Sequence, residues 1–294
     1  VEVKTIKSIT TLVDDIYKVV SEKGGWDTVS NDYFKEKIGS TLWSRLTPPE
    51  EERKGGLRMS NIGKPCARQL WYSIHHDKEA EELHPSAHLK FLYGDILEDL
   101  LLSLAVAAGH TVEGHQDTMS ISGIKGHRDA VIDGVTVDVK SASSYSFKKF
   151  EANALKEEGN DGFGYIRQLS SYVYAAKEDP LVKDKTGGAF LVIDKTLGKL
   201  CLDYYPLHDE LKEMEDFYEE RKDMASSTSP PPRGFQPEPD GKSGNEKLGF
   251  QCSYCPFKKL CHPDVRVFSS YRGPVYLTTV KKEPRMNEIK EGKA

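Results

Sequence analysis

The stretch Gly126-His127-Arg128-Asp129-Ala130-Val131-Ile132-Asp133-Gly134-Val135-Thr136-Val137-Asp138-Val139-Lys140-Ser141 decides the fold. Asp-Gly supplies the backbone angles that a two-residue type I′ loop requires. Asp133 and Gly134 therefore predict a hairpin between one strand over 126–132 and another over 135–140. Closing the loop there sets Ile132 opposite Val135, and Asp129 opposite Asp138. Directly opposed residues have Cβ atoms about 4.5–5.5 Å apart, so the two carboxylates repel at close range. Alternation places Val135, Val137 and Val139 on one face and Thr136, Asp138 and Lys140 on the other. Lys140 then points the same way as both acids.

Two carboxylates and an amine on one face suit metal-assisted phosphodiester hydrolysis. Hard carboxylate oxygens hold Mg²⁺ or Mn²⁺ and leave room for water. The metal acidifies a bound water and shields the phosphate, while a lysine orients that water and offsets developing charge. An ordinary solvated sheet face near a turn can carry the same residues, so the spacing alone leaves both readings open.

Outward from the hairpin, apolar positions Leu89, Leu92, Tyr93, Ile96, Leu100 and Leu104 predict a long helix from Pro85 to Ala108, with Gly109 as its stop. A loose strand over Thr118–Ile124 precedes the hairpin. Downstream, the sequence predicts a helix over Phe163–Lys177, strands over Gly188–Asp194 and Leu200–Tyr205, and a charged helix over Leu207–Met224. Residues 1–60 read as helical. Leu12, Ile16, Val19 and Val20 are spaced for a helix, Trp26, Tyr33, Phe34 and Trp43 supply packing mass, and Pro48, Pro49, Gly55 and Gly56 break the region. The order of strands and helices is that of a mixed α/β domain.

Five cysteines are present, an odd number, and Val1 to Asp15, mixed charged and apolar, do not read as a secretory signal. A disulfide framework is therefore disfavoured. Cys252-x2-Cys255-x5-Cys261 is a metal-type spacing that leaves a tetrahedral centre one ligand short. Cys201 alternates with Leu200 and Leu202 in a core strand and reads as a buried thiol. Cys66 stands in a polar Gly-Lys-Pro context ahead of Leu70-Trp71-Tyr72 and is the available fourth ligand. Zinc and a 4Fe–4S cluster both accept such a set, with His262 a competing fourth ligand for zinc.

Asp129 followed by Asp138-Val139-Lys140 resembles the PD-(D/E)XK nuclease signature, and Gly126-His127-Arg128-Asp129 with Asp138-x-Lys140-Ser141 is similar to its RecB-like branch. Gly94-x3-Glu98 looks like that branch's first motif, and Gln168-x3-Tyr172 like its last. A distant Cys66 before Leu-Trp-Tyr, a nuclease core, then Cys252, Cys255 and Cys261 resemble the iron–sulfur RecB-like nucleases. These include the CRISPR-associated RecB-like exonucleases, the AddB nuclease domain and phage exonucleases.

The resemblance implies a restriction-endonuclease-like α/β core, with a mixed central sheet flanked by helices, beside a helical N-terminal region and a Cys-rich C-terminal segment. It divides the chain into an N-terminal region (1–60), the nuclease core (61–225), a Ser/Pro/Gly-rich linker (226–249), the cysteine segment (250–264) and a tail (265–294). It implies that Glu98, Asp129, Asp138 and the Val139 carbonyl bind Mg²⁺ or Mn²⁺, that Lys140 assists the attacking water, and that Gln168 and Tyr172 position the strand. Cys66, Cys252, Cys255 and Cys261 would hold a structural 4Fe–4S cluster tying together the ends of the core. The implied activity is that of a DNA exonuclease on single-stranded ends, weakly favouring 5′ to 3′. Periodicity dissents on one residue. At 3.6 residues per turn Glu98 lies about 160° from the centre of the apolar stripe, facing solvent.

Lys148, Lys149, Arg167 and Tyr145 are candidates for DNA contact, as phosphate-binding cations and a base-stacking ring. The net charge of −5 disfavours a generally basic nucleic-acid binder but not a local basic track. No run approaches the roughly 18 apolar residues of a membrane span, so a cytoplasmic location is expected, or the host cytoplasm for a phage-encoded chain. Gly241-Lys242-Ser243 lacks the upstream glycine of a P-loop, so no ATP-driven motor is expected. Two other functions use the same features: a catalytically weak DNA-end-binding or assembly subunit, and a zinc-binding adaptor. The oligomeric state is not legible.

Overall fold

A computed structural model describes residues 7–22, 27–47, 55–83, 85–271 and 273–289. Trp26, Pro48 and Pro49 lie outside the described residues. The chain runs α1 (Leu12–Ser21), α2 (Thr28–Leu46), α3 (Met59–Ile62), α4 (Ala67–His75) and α5 (Pro85–Ala107). Five strands follow: β1 (Val112–Glu113), β2 (Thr118–Ile121), β3 (Ile124–His127), β4 (Ala130–Ile132) and β5 (Val135–Ala142). Then come α6 (Ser144–Glu151), α7 (Tyr165–Ala175), β6 (Gly187–Asp194), β7 (Leu200–Pro206), α8 (His208–Lys212) and α9 (Met214–Ser226). The C-terminal part carries β8 (Glu238–Pro239), β9 (Glu246–Lys247), α10 (Phe250–Ser253), α11 (Lys258–Cys261), β10 (Arg266–Ser270) and β11 (Gly273–Thr279).

The chain divides into two compact units. The first holds the described residues of 1–53, 57–63 and 84–220, and the second those of 54–56, 64–83 and 221–294. In the first unit a five-stranded sheet has the order β1-β4-β5-β6-β7. Only β5 and β6 pair in parallel, which makes it the expected mixed sheet. A parallel step needs a crossover, and α6 and α7 supply it. Leu12, Ile16, Leu101 and Leu104 of α1 and α5 bury one face of the sheet against Val135, Val137 and Val139. Phe147, Phe150, Ile166 and Leu169 of α6 and α7 cover the other, against Phe190 and Val192.

The hairpin forms in the expected register, with Ile132 opposite Val135 and Ala130 opposite Val137. Asp133 and Gly134 have φ of 51° and 87°, the paired positive angles of a type I′ turn. The expected strand over 126–132 is, however, two strands. β3 pairs with β2 in a hairpin of its own, and the chain breaks at Arg128 and Asp129 before β4. Arg128 causes the break. It is 1% exposed, and its guanidinium binds Asp117, Asp179 and the Gly114 carbonyl. A buried cation held by three partners overrides the local alternation.

Two other expectations change. Trp43, read as packing mass, is 74% exposed. The helix expected over 207–224 is interrupted at Glu213, between α8 and α9.

The second unit builds a four-stranded antiparallel sheet in the order β10-β11-β9-β8. Segment 226–249, read above as a linker, contributes β8 and β9 to that sheet. Trp71 and Tyr72 of α4 pack on Phe257 with Cys255, Leu260 and Cys261 around them. No helix among the described residues is long and apolar enough to cross a membrane.

Candidate active site

Asp138 and Lys140 alternate outward from β5 on the face covered by α7, while Val137 and Val139 fill the opposite core. Asp138 is 1% exposed. Its Oδ1 accepts a hydrogen bond from Gln168 Nε2 of α7 at 3.2 Å. Its Oδ2 is ion-paired with Lys140 Nζ, although without hydrogen-bond geometry. Asp129, just before β4, accepts the Val139 main-chain N–H on its Oδ2 at 2.7 Å. Tyr172 lies one turn beyond Gln168 and is buried.

The electrostatics follow from this crowding. Burial pushes the Asp129 carboxyl well above the usual aspartate range, and the nearby charges of Asp138 and Glu98 push it further. Burial also raises Asp138, against the pull of Lys140. For Lys140 burial works to lower the pKa, but Asp138 and Asp129 outweigh it and hold the ammonium above the ordinary lysine value. Burial, then the charge of Asp138, raises the Tyr172 phenol.

Glu98, on α5, lies near enough for its charge to push both aspartates up. The outward position implied by periodicity is therefore corrected: the side chain is 20% exposed. The single stripe failed because α5 changes character along its length. Leu89, Phe91 and Tyr93 are exposed, whereas Leu97, Leu101, Leu102 and Leu104 are buried.

The loop between β1 and β2 adds two residues that sequence reasoning missed. Gln116 Nε2 donates to Glu98 Oε1 at 2.8 Å. Lys37 Nζ donates to His115 Nδ1 at 3.0 Å. An ammonium can only donate, so the imidazole proton sits on Nε2, which lies 3.7 Å from Glu98 Oε1. No local period in the sequence signals either residue.

Two carboxylates against one ammonium, with the charge of Glu98 acting on both acids, leave an excess of negative charge. That hard-oxygen set fits a divalent cation in chemistry and charge. As they stand, no three His, Cys, Asp or Glu side chains among the described residues are arranged so that they could hold a metal ion. Glu98 in particular is engaged by Gln116.

Of the candidate DNA contacts, Tyr145 is 76% exposed at the start of α6, with Lys149 Nζ 5.5 Å from its ring centroid. Lys148 is exposed beside them. Arg167 is engaged elsewhere, with Nη2 on Glu213 at 2.8 Å and the guanidinium over Phe217.

In the second unit Cys66, Cys252, Cys255 and Cys261 line one pocket, together with Tyr72 and His262. All four are free thiols. Burial and neighbouring thiols hold Cys252 and Cys255 up at about 11. His262 is 7% exposed and its Nε2 finds no hydrogen-bond partner. Cys201 stands apart from this set, on β7 of the first unit, where burial and then Asp203 push its thiol up to about 12.

The family model of the PD-(D/E)XK nuclease superfamily matches residues 42–262. The chain belongs to that superfamily. Its mixed sheet flanked by helices is the superfamily's restriction-endonuclease-like fold. Nucleases of this superfamily generally use Mg²⁺ or a similar divalent metal, and a nuclease domain implies a DNA substrate. Two solved structures are similar in part. The crystal structure of SSO0001 is 16% identical, with 80% of this chain and 96% of that one covered at a TM-score of 0.40. That of LHK-Exo in complex with dAMP is 12% identical, with 65% and 94% covered at 0.37. No curated protein matches the chain.

Proposed function

We propose that this chain is a metal-dependent deoxyribonuclease of the RecB-like iron–sulfur kind, acting as an exonuclease on single-stranded DNA ends. The observation that carries the reading is the meeting of Asp138, Lys140 and Gln168 beside a second, half-buried acid, Asp129, whose carboxyl is pushed up by desolvation and the charge of Asp138. Such a group on a solvated sheet face would not be buried, nor would its acids be held above their ordinary pKa.

Glu98, Asp129, Asp138 and the Val139 carbonyl would hold Mg²⁺ or Mn²⁺, which supplies Lewis acidity at the scissile phosphate. Lys140 orients the attacking water and offsets charge gathering on the phosphate oxygens. Gln168 fixes the Asp138 carboxylate, and Tyr172 backs Gln168 from the core. Tyr145 offers an exposed ring for stacking on an unpaired base, and Lys148 and Lys149 offer cations to the backbone. Arg167 can join them only by leaving Glu213. A weak 5′ to 3′ preference comes from the family resemblance alone.

Cys66, Cys252, Cys255 and Cys261 would hold a structural 4Fe–4S cluster. Support comes from the four free thiols around one pocket. Zinc is the second reading, favoured by the unpartnered His262 Nε2 in the same pocket.

Anaerobically purified protein, given end-labelled single- and double-stranded DNA with Mn²⁺, tests the reading. Single strands should shorten from an end, and Asp138→Ala and Lys140→Ala should each abolish cleavage. Persistent cleavage in both variants would overturn the assignment. Absorbance near 400 nm with iron analysis separates the cluster from zinc.

A further inference from the structure

We propose that Tyr165 is a positioning residue for Lys140, holding the ammonium against its ring face so that the amine keeps one direction during hydrolysis. The inference rests on the nuclease reading above. Lys140 Nζ stands 5.0 Å from the Tyr165 ring centroid, within the roughly 6 Å range of a cation–π contact. Lysine is a compact charge on a flexible four-carbon stem and does not hold a direction unaided. Its carboxylate partner here is Asp138, the residue that a divalent cation would claim. An aromatic face attracts the ammonium without competing for that cation, because it presents no anionic oxygen. It therefore steadies the amine whether or not Asp138 is engaged.

The ring is itself fixed from several sides. The Tyr165 and Ile166 N–H groups both donate to the Asp161 carboxylate, at 2.8 and 2.9 Å, which caps α7. The preceding Gly164 has φ of +78°, and a Cβ there would fall 1.9 Å from the Gly63 carbonyl oxygen. This close approach sets where α7 begins. Phe163, Phe150 and Phe190 surround the ring at centroid distances of 5.5, 6.0 and 6.3 Å. Lys140 thus meets a ring whose position is determined by packing rather than by the amine.

Tyr165→Phe keeps the ring face, whereas Tyr165→Leu and the more accommodating Tyr165→Met remove it while retaining apolar bulk. On end-labelled single-stranded DNA with Mn²⁺, Leu and Met should lower kcat about 10- to 100-fold with KM little changed. Phe should stay within about threefold of wild type. A second readout needs no metal and no turnover. With lysine labelled at Cε, the Lys140 methylene protons should lie upfield under the ring current in wild type and Tyr165→Phe. They should move downfield in Tyr165→Leu and Tyr165→Met.

Unchanged kcat in Leu and Met, equal loss in Phe, or an unmoved Lys140 resonance would each overturn the assignment. A wild-type chain inactive on every DNA form overturns the nuclease reading instead, while the resonance still reports whether the ring faces the amine.

Discussion

The Asp129 carboxylate accepts the Val139 main-chain N–H at 2.7 Å. The ladder between β4 and β5 ends at Ala130 and Val137, so a side chain serves a backbone donor beyond the last paired residues. One acid thereby carries two duties, satisfying a main-chain donor and supplying charge to the cluster. Asn and Ala substitutions separate them. Asp129→Asn keeps an acceptor for Val139 and removes the charge, whereas Asp129→Ala removes both.

Both variants should abolish cleavage, but their stabilities should part. Asp129→Ala strands the Val139 N–H and should lose about 1–2 kcal/mol relative to Asp129→Asn. Burial and the charge of Asp138 hold the Asp129 carboxyl above its unfolded pKa. Its ionised form therefore weakens the fold increasingly as pH rises above the unfolded value, and not below it. Asp129→Asn should match wild type near pH 4 and exceed it at pH 8, on urea melts in EDTA. An Asn variant less stable than wild type at pH 8 contradicts this account.

Glu98 is held from outside the cluster by the Gln116 side-chain amide. Groups that orient a ligand commonly matter about 10- to 100-fold in metal affinity. Gln116→Ala should raise the Mn²⁺ concentration for half-maximal cleavage by about tenfold, with the unfolding midpoint little changed. A metal titration of the variant checks it. An unaltered half-saturation value would remove Gln116 from the machinery.

The hairpin was legible because its information is local. Asp133-Gly134 favours a type I′ turn, the turn fixes the register, and the register carries Asp129 toward Asp138 and Lys140. Gln168 and Tyr172 were legible by motif and by helical spacing. Arg128 was not, because its partners Asp117 and Asp179 lie in separate loops and no period connects them. The break between β3 and β4 went unseen for the same reason. Glu98 was misplaced because one stripe was fitted to a helix with an exposed first half and a buried second half. The contact of Lys140 with Tyr165 depends on a helix start set by Gly63 against Gly164, a meeting that sequence order does not suggest.

Arg128 gives the third prediction. Its guanidinium reaches Asp117 Oδ2 at 2.7 Å, Asp179 Oδ2 at 2.5 Å and the Gly114 carbonyl at 3.2 Å. Arg128→Ala leaves a cavity and removes the hydrogen bonds to Asp117, Asp179 and the Gly114 carbonyl, and should cost about 2–4 kcal/mol. Arg128→Met fills much of the volume but makes none of those hydrogen bonds, so it should recover only part of that loss. Asp129 is the next residue, so cleavage should fall in both variants even under conditions where they remain folded. Chemical denaturation with parallel cleavage assays tests this. Full activity in a folded Arg128→Ala would show that the break does not depend on the guanidinium.

Asp203 on β7 supports a prediction away from the chemistry. It is 2% exposed, and its Oδ1 accepts a hydrogen bond from Asn153 Nδ2 at 2.7 Å. Burial pushes its carboxyl up to about 6, against the hydrogen bonds of Asn153 and Tyr205. The unfolded carboxyl titrates near 4, so between about pH 4 and 6 the unfolded chain sheds a proton that the folded chain retains. Stability therefore falls as pH rises through that window, and above it the full penalty remains. Asp203→Asn has no proton to lose and keeps an acceptor for Asn153. It should equal wild type near pH 4 and be more stable at pH 7.5, by on the order of 1 kcal/mol. Urea midpoints at the two pH values decide it: an equal difference at both would show that Asp203 titrates alike in the folded and unfolded chain.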